Sequence, residues 1–176
     1  MDFNYCPNCG AHGSIQKQDK TDYECTKCSW HFWNNPKATA STICVDTEGQ
    51  LLFAKRKIEP HKGLYDIPGG FLKYNEDAYE GAIREIFEES GVRIRKLQLL
   101  PEIGHNEYLP GISTCDLTFI TTEWEGEFTP HDDVEAFVWK SVDFIASSQF
   151  AWPYPPGLIN RVKAFIATMR SDGRLS

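Results

Sequence analysis

Three glutamates on one predicted helix are the side chains of this chain best suited to chemistry. Glu85, Glu88 and Glu89 are spaced i, i+3 and i+4, which places their carboxylates on one helix face. Alone, such a stripe is typical of a solvated helix face. Here, however, the preceding loop, residues 63–71, is rich in glycine, so its backbone can approach a ligand. A carboxylate cluster facing free backbone groups suits Mg²⁺, which binds few protein oxygens and also takes water and substrate phosphate.

Four of the six cysteines form a second group with metal-ligand spacing. Cys6 and Cys9 form one C-x2-C pair, and Cys25 and Cys28 form another after 15 intervening residues. Two such pairs fit tetrahedral thiolate coordination of zinc. The alternative is a pair of disulfide bonds in a secreted protein. Because the first residues lack the basic and apolar segments of a secretory signal, we predict a structural Zn²⁺ site in a cytoplasmic protein.

The zinc cysteines predict a small ribbon over residues 1–36. Residues 1–37 carry four lysines, four acidic residues and no arginine, so their net charge is zero and provides no positive patch for nucleic acid. A structural ribbon is therefore favoured over one that binds nucleic acid. Trp30, Phe32 and Trp33 follow the last cysteine, and we expect them to pack the ribbon onto the next domain, with base stacking as the alternative.

The whole chain has the size of one domain with a small module. It has 176 residues, with 18 basic and 25 acidic side chains and a formal net charge of −7. Such a chain is a poor general partner for nucleic acid or an anionic membrane. The sequence has no run of about 18 apolar residues, so it predicts no transmembrane helix. An anionic substrate would need local positive charge, which a divalent cation would supply.

The second domain, residues 37–176, opens with two short apolar segments. Residues 40–45 and 51–54 flank the turn 46–49, a pattern that predicts a β-hairpin. The basic residues 55–57 end this hairpin. They are either a solvated strand end or a contact for substrate phosphates.

The carboxylate helix has residues typical of helix ends. Asn75 is the predicted N-cap, and Gly91 is placed to end the helix. At 100° per residue, an apolar face lies opposite an exposed face that carries the three glutamates. The apolar face comprises Tyr79, Ile83, Ile86 and Phe87. Further strands are predicted at 92–100, 113–122 and 137–139, with a helical turn at 141–147 and a final helix opened by Pro155 and Pro156. The apolar stripe of that helix serves either the core or a homodimer.

The segment around the glutamates resembles a known family. Residues 70–92 match the Nudix box, G-x5-E-x7-R-E-U-x-E-E-x-G-U, at every fixed position. The resemblance covers roughly residues 38–145. It implies an α/β (α+β) fold, the Nudix α/β/α sandwich with a mixed sheet, preceded here by the zinc ribbon. It also implies hydrolysis of a nucleoside diphosphate that is linked to another moiety.

The same resemblance implies roles for single residues. The implied ligands of a catalytic Mg²⁺ or Mn²⁺ are the carbonyl of Gly69 and the carboxylates of Glu85, Glu88 and Glu89. The residues implied to be structural within the site are Gly70, Glu76 and Arg84. Of these, Glu76 and Arg84 would brace the loop against the helix.

The resemblance leaves the general base open, because Nudix enzymes differ in which glutamate accepts the proton. Glu85 is one candidate. Glu135 is the other, since residues 132–139 are similar to the family's acidic lead-in to a late strand, which often adds a ligand or a base. The alternative for Glu135 is an exposed strand residue without a catalytic role.

The ribbon makes the chain similar to NADH pyrophosphatases and to plant FAD pyrophosphatases. We predict a small-molecule nucleotide substrate of the NADH, FAD or ADP-ribose class, cleaved to AMP and a second phosphate product. The alternatives are a nucleoside triphosphate pyrophosphohydrolase and a nucleotide-sensing regulatory protein. Four aromatic residues are candidates for stacking on an adenine or flavin ring, with a core position as the alternative for each: Phe71, Tyr74, Tyr108 and Trp152.

Overall fold

The N-terminal module is a small antiparallel sheet. The structure, a computed structural model, describes residues 3–18 and 21–176. The module's strands, in the order β1-β2-β3, are β1 (Ile15–Lys17), β2 (Asp22–Cys25) and β3 (His31–Trp33). Phe3 makes edge contacts with the rings of Trp30 and Phe32 at 5.3 and 5.6 Å. These two rings therefore pack within the module, although the sequence predicted packing on the next domain, while Trp33 is exposed.

The larger domain contains two main sheets. Its strands are β4 (Lys37–Cys44), β5 (Leu51–Arg56), β6 (Tyr65–Asp66), β7 (Gly69–Phe71), β8 (Arg93–Ile94), β9 (Gln98–Leu109), β10 (Ile112–Thr121), β11 (Trp124–Glu125) and β12 (Val134–Lys140). The larger sheet has the order β7-β4-β10-β9 and is mixed, because β4 and β10 run parallel while their other neighbours are antiparallel. The smaller antiparallel sheet has the order β12-β5-β6, and β11 pairs with β8.

Two helices cover opposite faces of the larger sheet. Helix α1 (Ala78–Ser90) packs on the face that carries Ala40 and Phe119. Helix α2 (Pro156–Ser171) packs on the face that carries Ile43 and Ile120, after a 3-10 turn at Val142–Ala146. Most of the apolar stripe of α2 is buried in this core, so it serves the core; the possible homodimer stays a prediction. The predicted α/β class with a mixed sheet is confirmed.

Two strand predictions need correction. The predicted hairpin is wrong, because β4 and β5 belong to different sheets and share a single bridge between Val45 and Leu51. Both strands are buried on both faces, so each needs neighbours beyond a hairpin partner. The predicted strand 92–100 is also divided: β8 ends at Ile94, and β9 begins at Gln98 and continues to Leu109.

Helix α1 begins and faces differently from the prediction. Its N-cap is Asp77, which forms a capping box with Glu80, whereas Asn75 has a positive φ of 62° in the turn before it. Tyr79 and Phe87, predicted to be on the buried face, are exposed. The prediction for Ile86 is confirmed, and the buried face carries Gly81, Ala82, Glu89 and Ser90 beside it. Small residues bring the helix close to the sheet and take Glu89 below the surface.

No helix of the described ranges is long and apolar enough to cross a membrane.

Candidate active site

A cavity of about 440 Å³ is lined by α1, by the glycine loop and by side chains of the larger sheet. The sequence-predicted residues that line it are Gly69, Gly70, Arg84, Glu85, Glu88 and Glu89. Further lining residues come from β4, β5, β6, β9 and β10, from the segment before β12 and from the segment that precedes α2. The structure thus brings the predicted box residues together around one space.

Arg84 ties the glycine loop to α1. Its Nε and Nη2 donate to the two oxygens of Glu76 at 2.6 and 2.7 Å, and Nη2 also donates to the carbonyl of Phe71 at 3.1 Å. Glu76 accepts a further bond from the backbone N–H of Lys73 at 2.8 Å. These bonds, the Arg84 bonds first, lower the pKa of Glu76 to about 2. The geometry is that of the brace predicted for this pair.

We expect Glu76→Gln to lower the free energy of unfolding at pH 7 by roughly 2–4 kcal/mol, because Arg84, which is largely buried, loses its two-bond carboxylate partner and keeps only its bonds to Glu85 and Glu88. The folded pKa of about 2 lies below the ordinary value of 4.5, so this stabilisation is present above pH 4.5 and is lost as the pH falls toward 2. Urea titrations at pH 7 and pH 3 measure it, with exposed Glu127→Gln as the matched control. A deficit of the same size at both pH values would contradict the assignment.

Glu85 and Glu88 share one positive neighbour. Arg84 Nη1 donates to Glu85 at 2.6 Å and to Glu88 at 2.9 Å, and Lys73 Nζ donates to Glu88 at 3.1 Å. The Lys73 bond, followed by the Arg84 bond, lowers the pKa of Glu88. Burial raises the pKa of Glu85. Each carboxylate keeps lone pairs beyond these bonds, so both have acceptor capacity for a cation.

Glu89 lies below the other two and is 7% exposed. The sequence analysis predicted Glu89 on the exposed face of α1. That prediction is wrong, because the face of α1 that carries Glu89 is turned toward the sheet. Burial, and then the carboxylate of Asp133, raise the pKa of Glu89 well above its ordinary range. Within residues 3–18 and 21–176, its Oε2 atom is buried without a hydrogen-bond partner. A buried carboxylate oxygen without a partner is costly unless a cation meets it.

The glycine loop packs closely against α1 and β4. A Cβ on Gly70 would lie 2.7 Å from the carboxylate carbon of Glu85 and would displace the flexible end of that side chain, whereas a Cβ on Gly69, whose φ is 156°, would lie 2.4 Å from the backbone carbonyl oxygen of Ala40. The site therefore combines backbone and carboxylate oxygens, with no sulfur or imidazole among the predicted ligands. An all-oxygen set of this kind fits Mg²⁺ or Mn²⁺, and the partnerless Glu89 oxygen is where such a cation would be needed.

The acidic segment before β12 reaches the cavity through residues other than Glu135. Asp132 and Asp133 line the cavity, whereas Glu135 is half-exposed and its carboxylate accepts a bond from Lys55 at 2.9 Å. The pairing of β12 with β5 has a register shift between Val134 and Ala136, and Glu135, the residue between them, faces Lys55 of β5. The residue that the sequence analysis chose, Glu135, is therefore two residues from Asp133 and three residues from Asp132, which line the cavity. Of the basic cluster 55–57, Arg56 lines the cavity.

Asp66 is a site residue that sequence reasoning missed. It lines the cavity and accepts bonds from the Tyr154 hydroxyl and the Ile67 backbone N–H, both at 2.9 Å. Arg56 Nη1 lies 3.9 Å from its second oxygen. Burial nevertheless raises the pKa of Asp66 to about 7. An aspartate directly before Ile-Pro-Gly-Gly offered no signal beyond its place in the glycine loop.

We expect Asp66→Asn to flatten the dependence of stability on pH. Since the pKa of Asp66 rises from 3.8 to about 7 on folding, wild type loses stability as the pH rises through that window. The variant avoids the loss, so above pH 7 it gains up to about 4 kcal/mol over wild type. Urea midpoints from pH 4 to pH 8 measure it, and Asp143→Asn changes an exposed carboxylate as the control. Parallel curves for Asp66→Asn and wild type would refute the prediction.

Aromatic rings form one wall of the cavity. Tyr108 stacks on Trp152 at a centroid distance of 5.4 Å and contacts the Phe71 edge at 5.2 Å. The guanidinium of Arg56 lies over the Trp152 ring at 4.8 Å. Three of the four predicted stacking candidates thus line the cavity, whereas Tyr74 is 95% exposed outside it. The wall offers an apolar surface for a planar ring.

The four N-terminal cysteines converge. Their Sγ atoms all lie within 4.8 Å of one another, with 3.7 Å between Cys6 and Cys28 and 3.8 Å between Cys9 and Cys25. All four are free thiols, because a disulfide would bring two sulfurs to about 2.05 Å. The Cys25 thiol donates to the Ser14 hydroxyl oxygen at 3.4 Å, and this contact is the first cause of the lowered pKa of that thiol, about 6. Four sulfurs at these distances can hold zinc.

Comparison with known proteins agrees with this geometry. A family model described as NUDIX domain matches residues 35–159. The ADP-ribose pyrophosphatase of Methanocaldococcus jannaschii is 31% identical over 121 residues, 69% of this chain and 67% of that protein. The NAD-capped RNA hydrolase NudC of Pseudomonas aeruginosa is 28% identical over 140 residues, 79% of this chain. The chain spans about half of that relative's length, 48%.

A solved structure extends the likeness to the N-terminal module. The NUDIX hydrolase from Nitrosomonas europaea has a TM-score of 0.67 and 25% identity, and the match covers 99% of this chain and 96% of that one. The family match extends from before β4 into α2 and includes the whole box. The glutamates, the brace and the mixed sheet thus lie within one matched segment, and the chain belongs to the NUDIX family.

Proposed function

We propose that the protein hydrolyses, with Mg²⁺, the pyrophosphate bond of a nucleoside diphosphate linked to another moiety, of the NADH, FAD or ADP-ribose class. The products are AMP and a second phosphate compound. One observation carries the proposal: the three glutamates and the aromatic wall share one cavity of about 440 Å³. A space of this size suits an organic ligand, and it has an anionic end and a ring-binding side. Two relatives are named for ADP-ribose and for NAD-capped RNA.

In this proposal, Gly69, Glu85, Glu88 and Glu89 hold the cation. When bound, the cation supplies the positive charge that neutralises the pyrophosphate oxygens. The Arg84–Glu76 brace keeps the loop and the helix at a fixed separation, so the carboxylates need no rearrangement during the reaction. The aromatic wall holds the organic end of the substrate and excludes water from it.

The position of Glu85 in the cavity favours it over Glu135 as the acceptor of the proton from the attacking water. Glu135 is engaged with Lys55 outside the cavity. We expect Glu85→Gln to lower kcat by about 100-fold or more, and Glu135→Gln to lower it by less than about threefold. Steady-state kinetics on the two purified variants measures both values. A larger loss for Glu135→Gln would reverse the assignment.

Product analysis tests the proposed function. The substrates are NADH, FAD, ADP-ribose, NAD-capped RNA and nucleoside triphosphates, each with Mg²⁺. Release of AMP with a second mononucleotide or ribose phosphate, or of a mononucleotide and 5′-monophosphate RNA from the capped RNA, supports the proposal. Release of pyrophosphate from a triphosphate would replace it with a triphosphate pyrophosphohydrolase. Nucleotide binding without turnover of any substrate would replace it with a nucleotide sensor.

The cysteine cluster supports a second proposal, that one Zn²⁺ holds the N-terminal module together. The four sulfurs come from two knuckles, one before β1 and one at the connection of β2 and β3, so one ion would link these two segments. Its role is structural, because the sulfurs take all four positions of a tetrahedral ion and leave none for substrate.

A further inference from the structure

The floor of the cavity is built from polar side chains that take no part in the chemistry proposed above. Side chains alternate along a strand, so Thr39 and Ser41 of β4 face the cavity. Asp116 of β10 is the register partner of Thr39 and also lines the cavity. Asp116 is 8% exposed, and Thr118 lies buried beside it. A carboxylate surrounded by hydroxyls therefore forms the base of the ligand space.

In each of the side-chain hydrogen bonds to Asp116, a hydroxyl group donates and the carboxylate accepts. Thr39 Oγ1 donates to Oδ1 at 2.9 Å, while Ser41 Oγ and Thr118 Oγ1 donate to Oδ2 at 2.7 and 2.8 Å. The competing acceptors, the Cys115 carbonyl for Thr39 and the Thr118 hydroxyl for Ser41, lie farther away at 3.4 Å. A hydroxyl has one proton to donate, and an ionised carboxylate can only accept. The hydroxyl protons thus point at Asp116, and the remaining lone pairs are left for a ligand.

We infer that Asp116 makes the cavity floor a hydrogen-bond acceptor, so that the substrate group docked on Thr39 and Ser41 is a hydrogen-bond donor. This inference rests on the proposed function and adds which end of the substrate the floor receives. A phosphate or a carbonyl oxygen would meet only lone pairs and a carboxylate there, and would be rejected. An amino group of a nucleobase and a hydroxyl of a ribose both supply the required donor.

Replacing Asp116 by asparagine reverses this polarity. The amide nitrogen donates to a hydroxyl oxygen, which frees that hydroxyl's proton to point into the cavity. The test compares kcat/KM for ADP-ribose with that for its hypoxanthine analogue, in which a carbonyl replaces the amino group. For a nucleobase donor, we expect wild type to prefer adenine by about tenfold, and Asp116→Asn to lower that ratio by about tenfold.

A second pair of substrates distinguishes the two sources of the donor. If a ribose hydroxyl is the donor, the 2′-deoxy or 3′-deoxy analogue of the adenosine ribose shows the tenfold wild-type discrimination, and the variant loses it. Either pattern supports the inference. Preference ratios that are unchanged between wild type and Asp116→Asn for all these pairs would overturn it.

Two further variants keep the test decisive. Ser41→Ala removes one acceptor and should lower the same ratio even if Asp116→Asn fails to fold. Thr42→Val is the matched control, because Thr42 is a buried β4 neighbour whose hydroxyl faces the Ala82 carbonyl on the opposite sheet face, and its ratio should match wild type. Wild type that cleaves none of the diphosphate substrates refutes the proposed function. Wild type that cleaves them, with ratios indifferent to both Asp116→Asn and Ser41→Ala, refutes the role of the floor alone.

Discussion

Glu89→Gln is expected to lower kcat with Mg²⁺ by about 10³-fold or more, which corresponds to roughly 4 kcal/mol of transition-state stabilisation. The reason is specific to this carboxylate. Glu85 and Glu88 already accept bonds from Arg84, whereas Glu89 Oε2 is buried with no partner among the described residues. In the variant, a cation held against that oxygen would lose a charged ligand, because the neutral amide of Gln replaces the carboxylate.

The same substitution has an opposite effect on the metal-free protein. Burial and the neighbouring carboxylate of Asp133 disfavour the charge of Glu89, so a neutral amide removes an electrostatic cost. We expect the Tm of metal-free Glu89→Gln to equal or exceed that of wild type. The rise in Tm that Mg²⁺ produces in wild type should be lost in the variant.

Thermal unfolding with and without Mg²⁺, together with kcat, measures the whole pattern. Exposed Glu127→Gln serves as the control and should retain both activity and the Mg²⁺-dependent rise in Tm. A Glu89→Gln variant that keeps its turnover and still gains stability from Mg²⁺ would place the cation elsewhere.

The parts of the site that lie close together in sequence were predictable. The spacing from Gly70 to Val92 is a local pattern that resembles the family's box, and residues this close along the chain lie close together in the fold. The cysteine pairs are predictable for a related reason, since each knuckle positions two sulfurs by itself.

The parts that depend on sheet register were not predictable. Asp116 meets Thr39 and Ser41 across 77 and 75 residues of chain, through a parallel pairing that no local pattern reports. Asp66 and Tyr154 are 88 residues apart. The same limit explains the wrong hairpin, because apolar segments that flank a turn give the same pattern whether they pair together or enter different sheets.

The burial of Glu89 shows a third limit. A helical projection assigns the core face to the large apolar side chains, and here it selected Tyr79 and Phe87. In the structure the helix contacts the sheet through Ala82, and Gly81 lies against Leu72 of the preceding segment, since small residues permit the closest approach. Close packing on one side and the glycine loop on the other then enclose a carboxylate that the pattern placed in solvent.

The second large effect concerns the N-terminal module, which we expect to depend on zinc for its folded state. Its strands have three or four residues each, and its apolar core is a cluster of aromatic rings around Phe3. A unit of fewer than about 40 residues seldom folds on such a core alone. Metal binding contributes about 10–16 kcal/mol in comparable zinc modules, so removal of the ion should unfold this one.

Metal analysis of the purified protein should therefore find about one zinc per chain. Cys25→Ser should lose that zinc and make the module sensitive to protease, whereas Cys115→Ser, which changes a cysteine of β10 outside the cluster, should keep both the zinc and the resistance. A chelator should lower the Tm even when Mg²⁺ is restored afterwards, because Mg²⁺ binds thiolates poorly and cannot take the place of zinc. Protein that contains no zinc, has four reactive thiols and keeps a protease-resistant module would show that the aromatic cluster suffices, and the cysteines would then need another explanation.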